Sequence, residues 1–487
     1  MDAYSQEIIA QYNEPVKRIR AVKLRKANCS TQPQLEARRH VSLHFATIRE
    51  LIAWRMRLAR APENCRGRRT IAKRRRAWSN AGVGTDGHDM SGAGRRPRAE
   101  IAQAAAPDPA AAGGVATPFR FYDNRQKYLA FVNTCNEKSA IARRAAQELR
   151  RLRPAPPALR FFDAGMGDAT VLSRLMRSTH CSYPTVPLLV VAKEISLEDV
   201  RLGLEKMPDR FNEHPATVLV ITNLNYAEAP RLMLRDAQSA AALNWQEVRL
   251  SGHSAHEYAE QIEELGPTLD YGWRTMPSAK SGNPVYVRPS VLVIYRADQK
   301  FPLDSVIPKP GRTFESYDLI LASQPWRARM SAEFKAQKVL APLARSLSQG
   351  GRMLVIQSYG KDPALEIVQK LWPGENPFKV DRHQLLAALK SELGRDAREF
   401  TLSAATDEKA LFRYDMHTLP SEIGDRIGTS TLFAAWNAAI YVNQIEDERL
   451  DSAVQTGAYL DATQMVLKKH SGLWFNDETF VVSRRKL

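Results

Sequence analysis

Arg160-Phe-Phe-Asp-Ala-Gly-Met-Gly-Asp168 is an apolar run that ends on a carboxylate, Asp163, and then turns through Gly165 and Gly167. Glycine at such positions lets the chain turn tightly and lets a ligand approach main-chain amides with no Cβ in the way. A second run, Pro187-Leu-Leu-Val-Val-Ala-Lys-Glu194, ends on another carboxylate about one strand-helix-strand unit later. A carboxylate there can hold the two hydroxyls of a ribose. The turn lacks the third glycine of the dinucleotide pattern, which argues against a bound pyrophosphate. Asp163 would repel a phosphate, but it suits a smaller, cationic nucleoside. The expected cofactor is therefore S-adenosyl-L-methionine, with its amino-acid end at Asp163, its backbone approach at Gly165 and Gly167, and its ribose at Glu194.

These residues need rigid strand ends to hold them. From Phe119 onward the chain alternates helical and strand patterns, the signature of a parallel sheet covered on both faces. A helix is predicted from Asn124 to Arg153, followed by strands at Leu159 to Asp163 and Leu188 to Lys193. Further strands are predicted at Tyr317 to Gln324 and Gly350 to Gln357, with a helix over Ala332 to Ser348 between them. Glu399 to Ala404 and Leu473 to Ser483 would form a closing hairpin. The expected fold is α/β, a doubly wound, mostly parallel seven-stranded sheet of Rossmann-like type with insertions.

Between Pro215 and Arg312 three runs compete for the third strand: Thr217 to Thr222, Gln246 to Leu250 and Ser290 to Tyr295. Gln246 to Leu250 is preferred, because the polar Ser251-Gly-His-Ser-Ala-His-Glu-Tyr258 after it could cap an adenine; the other two are then insertions. His253 and His256 lie three apart with no third ligand nearby, so they read as solvated loop histidines and no metal is expected.

The charge is uneven. Residues 1–117 hold 22 Lys and Arg against 10 Asp and Glu, which puts +12 of the formal +17 in that segment. Within it a helix is predicted over residues 34–61, then a basic run at Lys73-Arg-Arg-Arg76. The Ala/Gly/Pro-rich stretch Gly92 to Pro118 cannot bury a core. The organisation expected is a basic, largely disordered extension over 1–117 and one domain over 118–487 with insertions within 205–316. The extension reads equally as sequence ahead of a native start near Met90 and as an arm for a partner; nucleic acid is not the expected partner. Cys29, Cys65, Cys135 and Cys181 are scattered, with no metal or disulfide spacing. No apolar run approaches the roughly 18 residues of a membrane span, and the chain opens without a charged-then-apolar signal. The cytoplasm is the expected compartment.

The residues resemble the class I S-adenosylmethionine-dependent methyltransferases and, among them, histamine N-methyltransferase. Phe131-Val-Asn-Thr-Cys-Asn-Glu137 is similar to the family's amino-terminal helix, whose glutamate contacts the substrate amine. Asp318-Leu-Ile-Leu-Ala-Ser-Gln324 is similar to its fourth strand, which ends on a substrate-binding glutamine. Leu473-Trp-Phe-Asn476, just before Phe480-Val-Val482, resembles its last strand with a substrate-binding asparagine. The resemblance implies acceptor contacts at Glu137, Gln324 and Asn476 and cofactor contacts at Gly165, Glu194, Ser254 and Ser323. The chain departs from the family at Asp163, at Pro325-Trp326 after the glutamine, and in its long insertions.

Methyl transfer from a sulfonium needs a nucleophile lone pair held near the methyl carbon in a dry pocket, and no covalent enzyme intermediate. An amine must first lose a proton, a task for Glu137, while Gln324 and Asn476 fix the acceptor by hydrogen bonds. Tyr128, Phe131, Trp326 and Trp372 are candidate pocket walls. The expected activity is methyl transfer to a nitrogen of a small, histamine-like amine. The alternatives are a peptide or natural-product acceptor, and a non-catalytic S-adenosylmethionine-binding module with a nucleic-acid-binding arm.

Overall fold

A short, unbroken apolar run is stable only where helices cover both faces of a sheet, and the strands that position the site are of this kind. The computed structural model describes residues 125–277, 284–312, 316–418, 420–424 and 426–486. The predicted extension at 1–117, its helix at 34–61 and the linker to Pro118 lie outside the described residues.

Two helices, α1 (Arg125–Thr134) and α2 (Glu137–Leu149), stand where one was predicted. The break is tertiary in origin. Asn136 donates its N–H to the Asp415 carbonyl at 2.9 Å and accepts the Asp415 N–H on its side chain at 2.8 Å, which takes the backbone out of the helix at that point. The break makes Glu137 the first residue of α2 and buries it. Glu148, on the same helix, pairs with Arg352 at 2.7 Å and ties α2 to the sheet.

The remaining elements that matter to the site follow in chain order. They are β1 (Leu159–Asp163), α3 (Thr170–Ser182), β2 (Leu188–Lys193), α4 (Leu197–Leu204), β3 (Thr217–Thr222) and β4 (Asn244–Leu250). A separate two-stranded sheet, β5 (Thr275–Pro277) and β6 (Pro284–Tyr286), precedes β7 (Ser290–Arg296) and β8 (Tyr317–Ser323). Helix α5 spans 332–345 and contains one wide turn at Ala336–Leu340. Then come β9 (Leu347–Ser358), α6 (Pro363–Leu371), α7 (Arg382–Leu393), β10 (Phe400–Ser403), β11 (Leu411–Asp415), α8 (Thr429–Val442) and β12 (Trp474–Arg484).

The main sheet runs β10-β12-β9-β8-β1-β2-β3-β7-β4, with β11 also paired to β12. β3, β2, β1, β8 and β9 are parallel, and β12 closes against β9 antiparallel. The predicted mostly parallel central sheet is therefore present, with ten strands in place of the expected seven. Its third strand is Thr217–Thr222, however, and not Gln246 to Leu250. All six residues of Thr217–Thr222 are buried, and β3 pairs directly with β2. Gln246 to Leu250 belongs to the outermost strand, β4, which is half exposed and reaches the sheet only through the antiparallel β7.

Helices pack both faces. Ile141, Ala145, Leu172 and Met176 cover the face bearing Phe161, Val190 and Leu219. Leu340, Leu343, Leu385 and Leu389 cover the face bearing Phe162, Val191 and Val220. A third cluster of Phe131, Tyr414, Trp436 and Phe475 joins α1 and α8 to β11 and β12. Among the described residues, no helix is long and apolar enough to cross a membrane.

Candidate active site

The carboxyl ends of β1, β2, β8 and β9 open into a cavity of about 1040 Å³. This is the crevice in which ligands bind open α/β sheets. The glycine turn forms its floor. Ala164 N–H donates to the Leu321 carbonyl at 2.9 Å and Met166 N–H to the Lys193 carbonyl at 3.0 Å, so the turn is stitched to both neighbouring strands. Gly167 has φ +53°, and a Cβ there would lie 2.9 Å from the Tyr128 hydroxyl. At Gly165 a Cβ would meet nothing nearer than the Ser323 carbonyl at 4.0 Å. Gly167 satisfies the backbone; Gly165 leaves open space facing the cavity.

Side chains alternate across a strand, so Asp163 and Glu194 continue the face of Phe161 and Ala192 while Lys193 points to the other. Glu194 is buried. One of its oxygens accepts the Gly167 N–H at 2.6 Å, and the other accepts Ile195 N–H at 2.6 Å and Ser196 N–H at 2.8 Å. The carboxylate thus locks the loops after β1 and β2 together. Asp163 accepts the Gly165 N–H at 3.2 Å, and burial pushes its carboxyl up to about 7, with Glu194 adding to the rise. Asp199, on the first turn of α4, is likewise raised to about 7 by burial and by Glu194. Asp163, Glu194 and Asp199 therefore line the cavity together with Glu198, a surround that suits a ligand carrying positive charge.

Another part of the lining is aromatic and amide-bearing. Tyr128, Phe131, Trp326, Tyr414 and Tyr441 line the cavity together with Glu137, Ser323 and Gln324. Phe131 lies 5.1 Å from the Tyr441 ring and 6.2 Å from the Tyr414 ring, so the wall is one packed aromatic unit. Gln324 takes a left-handed conformation, φ +53°, that non-glycine residues adopt at some cost and that concentrates at functional sites. It is held there by a hydrogen bond from its backbone N–H to the Ile356 carbonyl at 2.9 Å and by exchange between its side-chain amide and the Ser358 hydroxyl at 2.9 and 3.1 Å. The Lys138 ammonium lies 3.0 Å from Glu137 Oε2 and over the Tyr128 ring, and nearby negative charge led by Glu137 holds it above the usual lysine range despite burial.

Of the residues singled out from sequence, Glu137, Asp163, Gly165, Gly167, Glu194, Ser323 and Gln324 converge on this cavity. Two do not. Ser254 caps a helix beyond β4, bonded to Glu257 in a capping box, and is not among the cavity-lining residues. Asn476 turns to the loop after β9, donating to the Gly360 and Lys361 carbonyls at 3.3 and 3.1 Å. Its neighbour Asp477 points the other way, to within 3.4 Å of Gln324, fully buried with one oxygen unbonded, and burial raises it well above the usual carboxylate range. Trp372 stacks on Trp436 away from the cavity. Sequence reasoning also missed Lys138, Lys193, Asp199, Tyr226, Tyr414 and Tyr441. A lysine ending the apolar run Leu188 to Ala192 was the one legible signal among them.

A scan of family models and a search of curated proteins found no match. Among solved structures, the chain is similar to a geranyl diphosphate methyltransferase at 11% identity, covering 70% of this chain and 78% of that one with a TM-score of 0.27. It is similar to a putative sarcosine dimethylglycine methyltransferase from Galdieria sulphuraria at 9% identity, covering 76% and 93% with a TM-score of 0.30. It is also similar to phosphoethanolamine N-methyltransferase 2 of Haemonchus contortus at 10% identity, covering 77% and 61% with a TM-score of 0.26. Likeness at this level carries no argument about chemistry.

Proposed function

We propose that the chain is an S-adenosylmethionine-dependent methyltransferase that transfers a methyl group to a nitrogen of a small, histamine-like amine. The observation that supports this most is the acidic, glycine-floored end of the cavity adjoining an aromatic lining with a glutamate and an amide. Asp163, Asp199 and Glu194, with the open cradle at Gly165, fit a nucleoside that carries both an ammonium and a sulfonium. Bound there, S-adenosylmethionine supplies an electrophilic methyl whose bond to sulfur breaks as a bond to the acceptor nitrogen forms.

This chain's own residues would do the rest. Glu137 has one oxygen engaged by Lys138, and the other is left to receive an acceptor N–H and its proton. Gln324, held in place by Ser358, presents an amide to the acceptor, and the ring cluster of Phe131, Tyr414 and Tyr441 excludes water. Asp477 stands behind Gln324 where the sequence resemblance pointed to Asn476. The cavity volume favours a second reading, because about 1040 Å³ is at the upper end of small-ligand pockets and leaves room for a larger acceptor such as a peptide or natural-product scaffold.

The test is calorimetric titration of the full chain with S-adenosylmethionine and S-adenosylhomocysteine, repeated with Asp163→Ala, Glu194→Ala and Glu137→Gln. Both alanine variants are expected to weaken binding, while Glu137→Gln keeps cofactor affinity and lowers turnover of a small amine. Absence of binding by the folded wild type would overturn the enzyme reading. Equal loss of turnover and cofactor affinity in Glu137→Gln would remove its assigned role.

A further inference from the structure

The cavity has a second, basic lobe that nothing in the methyl-transfer reading employs. Lys193 points from the end of β2 onto the face opposite Glu194; it is buried, lines the cavity, and packs its ammonium 5.1 Å from the Tyr226 ring. Among the described residues no carboxylate lies within ion-pair distance of it. The Tyr226 hydroxyl donates toward the Ala164 and Pro325 carbonyls at 2.9 and 3.2 Å, and Lys193 meets the ring of this tyrosine.

Beyond Tyr226 the cavity continues as a groove along helix α5. Phe334, Lys338, Pro342 and Arg345 line it at the spacing of one helix face. Arg235 and Arg327 line it too. The side chains of Arg235, Arg327 and Lys338 form no ion pair among the described residues, whereas Arg345 meets Asp396 at 3.3 Å. Among the described residues lining this lobe, Glu392 is the one carboxylate. The cavity is thus bipolar, with carboxyl groups around the glycine turn and cations along α5.

We propose that this groove is a binding subsite for an anionic group, a carboxylate or a phosphate carried by the methyl acceptor, with Lys193 as its buried anchor. The inference rests on the reading that the acidic end takes the cofactor. Holding a charged amine in a buried site with no counter-ion costs free energy, and an anion in the groove removes that cost. Burial lowers the Lys193 ammonium to about 8 and Glu194 works against that fall, so at neutral pH the group still carries its charge. An acceptor with an amine at Glu137 and an acid at Lys193 would use both lobes, which a plain small amine does not.

The experiment is calorimetry on the full chain with matched ligand pairs, histamine against histidine and ethanolamine against O-phosphoethanolamine, with inorganic phosphate as a further probe. The acid-bearing member of at least one pair is expected to bind about tenfold tighter or more, the size of one charge-assisted hydrogen bond. The histidine arm reads a carboxylate and the phosphoethanolamine arm a phosphate. Lys193→Met should erase the preference while Lys193→Arg keeps it. The surface double variant Arg327→Gln, Lys338→Gln should reduce it and serves if Lys193→Met fails to fold. Equal binding within both pairs, no binding of any acid-bearing ligand or of phosphate, or a preference that survives Lys193→Met would overturn the subsite. S-adenosylmethionine is titrated separately, so an intact anion preference without cofactor binding sinks the methyltransferase reading and leaves the groove standing.

Discussion

Asp163 and Asp199 face one cavity, and each is pushed up to about 7, first by burial and then by Glu194. A carboxyl raised in the folded state binds its proton more tightly than in the unfolded chain. Its contribution to stability is therefore complete below the ordinary carboxylate range and is lost as pH rises toward 7. A cationic ligand has the opposite preference, since it binds best when both groups are ionised. Affinity for S-adenosylmethionine should therefore climb between pH 6 and 7, by up to about tenfold per unit for each coupled carboxyl, and level off above. Calorimetry in buffers of different ionisation enthalpy should show proton release at pH 6 and little at pH 8.5. A flat profile would mean that neither carboxyl meets the cation. Asp477 supplies a second case. Its buried carboxyl is raised by burial and by the charges of Glu137 and Asp362, so Asp477→Asn keeps the shape and removes the titration. Urea denaturation should find the variant gaining on the wild type as pH goes from 5 to 8, because only the wild type has a buried acid to ionise.

At the scale of elements, the turn between β1 and α3 separates folding from ligand binding through its two glycines. Gly167 needs its positive φ and closely approaches Tyr128, so Gly167→Ala should cost about 1–2 kcal/mol and disturb the Tyr128 contact with Asp168. Gly165 has neither constraint. Gly165→Ala should melt within about 1 kcal/mol of the wild type yet bind cofactor poorly, because its methyl fills the cradle; unchanged binding would show that the ligand does not approach there. This turn was legible in the sequence because glycine, strand and carboxylate sit within a few residues of one another. The same holds for β1, β2, β8 and β9, whose apolar runs are nearly continuous, while β12 was legible from its alternation. The third strand was misjudged because polar residues after Gln246 to Leu250 were weighed above the run itself. Thr217 to Thr222 has the unbroken apolar interior of a strand covered on both faces, whereas the alternating pattern of β4 is that of a half-exposed edge. The helix break before Glu137 was illegible for another reason: it is made by hydrogen bonds to Asp415, far along the chain. Choosing Asn476 over Asp477 was a question of which of two adjacent side chains turns toward Gln324, and strand register settles that only once β12 is paired with β9.

At the scale of the whole molecule, net charge and site charge are separate properties. Residues 1–117 carry +12 of the formal +17, so the polarity of the cavity comes from local placement and owes little to the balance of the chain. Every cavity-lining residue belongs to the described part of the chain from Arg125 onward, which folds as one compact unit. A ligand that binds only the folded cavity stabilises that unit by about 2.7 kcal/mol at a hundred times its dissociation constant. For a unit of this size the melting midpoint should then rise by about 4 °C. The full chain melted with saturating S-adenosylmethionine should show that rise in the transition reported by buried tryptophans such as Trp326, and Gly165→Ala should remove the rise without moving the unliganded midpoint. An increase of ionic strength should leave the rise largely intact, because the carboxyl groups that would hold the cofactor are buried and buried pairs are weakly screened. A rise that salt abolishes would place the ligand on the exposed surface and separate cofactor binding from the glycine turn.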